Sequence, residues 1–192
     1  MRPIVLLAAL SAFAAPSHAQ PTAESWVGVY RFNHEIGMAH DDKPARAENI
    51  LEVVPLGANK LYVRIDLWAH NAHRCKFYGV TALSGDELTY RGKEERYFVE
   101  SQRNPASPTG TIDKYETGRC ELSLTRRSVD GKEVIVLSDP GHRCHHRCGA
   151  NAYFDEASWD VKSRRVIRYL DRLKASPEYQ EAIAEHQMLE AR

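Results

Sequence analysis

The sequence predicts a mainly β fold: an antiparallel meander barrel of about eight short strands, followed by a helical C-terminal tail. Three observations predict it. Between Trp26 and Leu137 apolar residues recur with period two, the punctuation between runs is that of hairpins, and after Trp159 the period becomes helical. No helical stretch separates the strands, which excludes βαβ units. A meander of this size hides its edges best by curling on itself.

Residues 1–19 carry the three parts of a cleaved signal peptide: Arg2, an apolar run from Ile4 to Ala15, and Ser17-His18-Ala19 at the cut. The run is shorter than the roughly 20 apolar residues a membrane span needs. Cleavage after Ala19 leaves 173 of the 192 residues, and with Arg2 gone 25 Lys and Arg face 26 Asp and Glu. That balance gives no reason to expect a nucleic-acid or membrane-surface partner, and no membrane insertion is expected after cleavage. The remainder divides into a barrel domain over 20–158 and a helical segment over 159–192.

Trp26–Arg31 is the expected first strand. His34–Ala47, polar and holding Asp41-Asp42-Lys43-Pro44, reads as a surface loop. Ile50–Val54 turns through Pro55-Leu56-Gly57-Ala58-Asn59 into the clearest strand of the chain. There Leu61, Val63, Ile65 and Leu67 alternate with Tyr62, Arg64, Asp66 and Trp68. Cys75–Thr81 follows, then Glu87–Tyr90 after Ser84-Gly85-Asp86, and Tyr97–Glu100 after a turn at Arg91-Gly92-Lys93. Gln102–Gly118, with two Pro and two Gly, reads as a second surface loop. Cys120–Leu124 pairs with Glu133–Leu137 across Asp130-Gly131, a dipeptide suited to a type I′ turn.

Beyond Trp159 a basic helix is expected between Lys162 and Lys174, with Val166, Ile167, Leu170 and Leu173 as its apolar stripe. Ser176-Pro177-Glu178 starts a second helix in the preferred order of cap, proline and acid, with Tyr179, Ile183, His186 and Leu189 along one side. Opposite charges on the two helices suit an antiparallel pair, or one broken helix lying across the barrel.

Cys75, Cys120, Cys144 and Cys148 are an even set in a chain built for export, so two disulfides are expected. A Cys144–Cys148 ring would be too short to stabilise much, so Cys75 and Cys120 are each expected to bond one of that pair, in either combination. The dense constellation of the chain is Gly141-His142-Arg143-Cys144-His145-His146-Arg147-Cys148-Gly149. Imidazole and thiolate are zinc and copper ligands, so His142, His145 and His146, joined by His70 and His73 through Cys75, form a metal-site candidate. Disulfide sulfurs cannot serve as thiolates, and the two cysteines there are spaced Cys-x₃-Cys rather than Cys-x₂-Cys.

Asp41-Asp42 and Glu94-Glu95 are adjacent acids whose side chains point apart, so neither makes the facing carboxylates of a glycosidase. No nucleophile elbow, Walker loop or dinucleotide fingerprint occurs. Trp26, Tyr30, Tyr62, Trp68, Phe77, Tyr78, Tyr90, Tyr97 and Phe98 are expected in the barrel core, with some free to form a ligand cup at its mouth.

Trp26-Val27-Gly28-Val29-Tyr30 at the start, with Cys144-His145-His146-Arg147-Cys148-Gly149-Ala150 after the last hairpin, resembles small exported proteobacterial proteins of calycin-like, that is lipocalin-like, form. The resemblance covers about residues 24–158 and implies a barrel. It brings no activity and no functional residue, the Trp-x-Gly order reverses the lipocalin Gly-x-Trp, and the C-terminal helices have no counterpart in it. The expected function is a non-enzymatic, cofactor-free binding module, periplasmic or secreted. It would engage a small ligand in the barrel or an envelope protein on its loops, an inhibitor of a cell-wall hydrolase being one version. The alternative is a periplasmic metal-binding protein using the cluster at 142–148.

Overall fold

The computed structural model describes residues 22–191 apart from 40, 107, 150, 151 and 156, and only the backbone of 41, 42 and 98. The expected signal peptide lies outside these residues. Eight antiparallel strands follow one another in order around a nearly closed barrel: β1 (Gly28–Met38), β2 (Asp41–Pro55), β3 (Lys60–Trp68), β4 (Arg74–Ser84), β5 (Glu87–Arg103), β6 (Thr111–Val129), β7 (Lys132–Ser138) and β8 (Ser158–Asp160). The helices are a single turn α1 (Ala23–Trp26), α2 (Leu170–Lys174) and α3 (Pro177–Glu190). None is long and apolar enough to cross a membrane.

The strands alternate as the sequence requires. Leu61, Val63, Ile65 and Leu67 of β3 point inward with Leu51, Val53, Phe77, Leu122 and Ile135, and the interior is filled by Trp26, Tyr30, Phe154 and Trp159 at zero exposure. It is a packed core. The Tyr90 side chain passes between two glycines of β4 and β5 to donate to Glu185 of α3 at 3.2 Å: a Cβ on Gly79 would stand 2.6 Å from its ring, and one on Gly92 2.7 Å from its hydroxyl. Of the expected core aromatics, Tyr62 and Tyr78 instead face a second apolar layer beneath the C-terminal segment, Trp68 lies outside the core under the Arg74 guanidinium, Tyr97 lines a cleft, and the Phe98 side chain lies outside the described residues.

Four expectations are corrected. The loops at His34–Ala47 and Gln102–Gly118 are β-ribbons: Asn33–Ile36 pair with Ala45–Glu48, and Arg96–Arg103 pair with Thr111–Thr117. Backbone ladders satisfy themselves without an apolar face, and a ribbon wet on both sides shows no alternation to read. Second, Glu87–Tyr90 and Tyr97–Glu100 are one strand with an irregularity between Arg91 and Glu94, not two strands about a turn. The eighth strand is the short β8 instead. Third, the basic helix is reduced to Leu170–Lys174, and Val166 is 82% exposed rather than part of a stripe. Arg165 exchanges backbone hydrogen bonds with Val29 at 2.8 and 2.9 Å, and the Arg31 N–H donates to Ser163 Oγ at 3.3 Å. The Arg165 backbone and the Ser163 side chain are therefore spent on holding the chain that follows β8 against β1, a tertiary demand that overrides helical periodicity. The first strand also begins two residues late, because Ala23–Trp26 forms a helical turn that plugs one end.

α3 lies across the outside of β3 and β4, the broken-helix arrangement. Its Tyr179 ring sits 4.7 Å from Tyr62, the Tyr78 hydroxyl donates to Glu181 at 2.6 Å, and Lys60 pairs with Glu190 at 3.1 Å. Beneath the preceding segment Glu52 is fully buried, held by the Arg64 guanidinium at 2.5 Å and by the Tyr169 hydroxyl.

Candidate functional site

β4 pairs with β5 only at Ala82–Ser84 against Glu87–Thr89, after which the two strands part. Residues 139–149 and 152–154 enter that seam. Cys148 bridges to Cys75 of β4 as a strand partner, and the Gly149 N–H donates to the Arg74 carbonyl at 2.8 Å. The disulfides are Cys75–Cys148 and Cys120–Cys144, so each of the earlier cysteines takes one of the later pair as expected. They tie the segment to β4 on one side and β6 on the other. Cys144 and Phe154 are fully buried, with the Phe154 ring 6.4 Å from Phe77. Asp139, also buried, accepts the Cys144 N–H at 3.1 Å, and burial pushes its carboxyl above the ordinary aspartate value. Two disulfides place the chain in an oxidising, extracytoplasmic setting.

On this plug the three histidines each have a separate partner. His142 Nδ1 lies 2.9 Å from Asp155, and its ring meets Tyr153 edge-on at 5.1 Å. His145 Nδ1–H donates to the His142 carbonyl at 2.9 Å. His146 Nε2 lies 3.3 Å from Glu95 of β5, which Arg147 approaches at 3.7 Å. Burial pushes the His146 imidazole below the ordinary histidine value, Arg147 adds to the fall, and Glu95 opposes it. His73 does come beside the plug, against Gly149, whereas His70 packs on Gly37 of β1. Among the described residues no three His, Cys, Asp or Glu side chains converge to hold a metal ion.

What the histidines do share is a wall. Between the plug and the inner face of β5 runs a cleft of about 750 Å³, lined by Tyr97, Val99, His142, His145, His146 and Tyr153. Val99 and Tyr153 stand 36% and 55% exposed beside it. This cleft is open and amphipathic. Reading the sequence alone overlooked Val99 and Tyr153 and treated Glu95 as solvated charge. The register that brings Glu95 to the plug depends on the β5 irregularity, which leaves no trace in local composition. No protein-family model, curated protein or solved structure matches the chain.

Proposed function

We propose that the chain is an exported, non-enzymatic binding module that engages a protein of the cell envelope in the cleft between β5 and the plug. The observation that carries this is the cleft itself, set on a barrel whose interior is solid. The close packing of Trp26, Trp159, Tyr30, Phe77 and Phe154 in the core supports the protein version of the reading over a ligand inside the barrel. The cleft offers what protein interfaces favour: exposed aromatic and imidazole side chains rimmed by charge, on a segment tied down by two disulfides. A periplasmic or secreted location accords with the disulfides, and inhibition of a cell-wall hydrolase is the concrete version.

The test is site-specific photocrosslinking in the exporting cell. A crosslinker at Val99 or Tyr153 should give the same discrete protein adduct, and one at Val166, exposed elsewhere, should give none. Adducts of equal yield at all three positions, or at none, would remove the reading. For the inhibitor version, purified protein should slow a lysozyme-type digestion of cell walls, and Tyr153→Ala should weaken that effect at least tenfold.

A further inference from the structure

Beyond the barrel wall the ribbon of β5 and β6 has two outer edges, and they differ. β4 leaves β5 after Thr89, and β7 pairs with β6 only from Ser123 onward, so among the described residues no strand covers the outer edge of either in the ribbon. The β5 edge is broken by register shifts at Arg91/Glu94 and Phe98/Glu100, and each places its extra residue in β5. Such bulges blunt an edge against pairing. β6 from Thr111 to Arg119 has no bulge and no proline, and it carries Ile112 and Tyr115 at 52% and 45% exposure. One edge is protected and the other is regular.

We infer that the β6 edge is a self-association surface, on which a second copy of this chain adds its own β6 antiparallel about a twofold axis at Tyr115. Charge selects this partner and this register. A twofold axis normal to the ribbon sets residues opposite one another symmetrically about a single residue. Centred on Tyr115, Lys114 faces Glu116 of the second copy twice, Asp113 faces Thr117, and exposed Ile112 lies over Gly118. Moving the centre to Lys114 or Glu116 sets two like charges on the axis. The same operation on β5 about Tyr97 sets Glu94 against Glu100 and Arg91 against Arg103. Opposite charges directly across an antiparallel pair attract and like charges repel, so this register suits β6, whereas β5 is interrupted by its two bulges. The strand is short, so the dimer belongs to the weak class of interfaces. This surface lies on the strand edge, not in the cleft, so its test is independent of the proposed binding function.

The experiment is sedimentation of the mature chain from about 1 to about 200 µM, the range in which a weak dimer assembles. Monomer should give way to dimer as concentration rises. Lys114→Glu, an exposed reversal that sets Glu against Glu across the axis, should weaken the dimer at least tenfold, and Lys114→Glu with Glu116→Lys should restore it. Under mild oxidation Tyr115→Cys should crosslink to itself, because the symmetric position is within disulfide reach, while Ile112→Cys should not. A chain that stays monomeric throughout overturns the inference. So does a dimer indifferent to Lys114→Glu, or a Ile112→Cys crosslink as efficient as that of Tyr115→Cys.

Discussion

Glu52 has no contact with water, and its charge is held by one guanidinium and one phenol that come from different parts of the chain. The Tyr169 phenol is pushed up to about 12, first by burial and then by the Glu52 carboxylate it bonds. In the unfolded chain the phenol titrates near 10.0, so above that value the native state holds the proton more tightly and stability falls as pH rises through the interval. Tyr169→Phe should cost about 1–2 kcal/mol in chemical denaturation at pH 7, because it removes a charge-assisted bond to a buried acid. It should also flatten part of the alkaline decline. His146 works in the other direction. Its imidazole is pushed down in the native state, so the neutral form is favoured and stability declines as pH falls below the ordinary value of 6.5. Thermal melts between about pH 7 and pH 5 should show that decline, and His146→Gln should make it shallower. None of these partnerships was legible in the sequence, since Glu52 and Tyr169 meet only once the tail folds over the sheet.

The elements most legible in the sequence are those with one wet face or one strong local signal. β3 announced itself because its odd residues enter the barrel. The β6–β7 turn did so because Asp130 and Gly131 both take positive φ, at 50° and 73°, and α3 because Ser176 accepts the Tyr179 N–H as its cap. Gly131→Val should cost about 1–2 kcal/mol, the penalty of a branched side chain in left-handed backbone. Ser176→Ala should cost about 1 kcal/mol. Both are read by denaturant midpoint against wild type. The ribbons were hidden because polar residues on both faces mimic a loop. The basic stretch before α2 misled for the opposite reason, having helical spacing while its backbone is needed to bridge to β1.

For the whole molecule, a barrel class and a two-disulfide framework follow from periodicity and cysteine number, but the plug does not. Nothing local says that a histidine-rich segment fills the seam between β4 and β5, and so nothing local shows the cleft. The bridges close loops of 73 and 24 residues, for which chain entropy alone gives about 4 and about 3 kcal/mol. Dithiothreitol should therefore lower the melting temperature steeply, and an unchanged melt would deny the stapling.

Native-state hydrogen exchange on Cys75→Ala/Cys148→Ala addresses the plug most directly, since this variant keeps the Cys120–Cys144 bridge and the barrel core. If the seam is closed by a tethered plug, the Gly149 amide, bonded to the Arg74 carbonyl at 2.8 Å, should exchange at least tenfold faster than in the wild type. The amides of β3 should change far less. A Gly149 amide as protected as before, with the Val99 adduct intact, would contradict a cleft that depends on the tether.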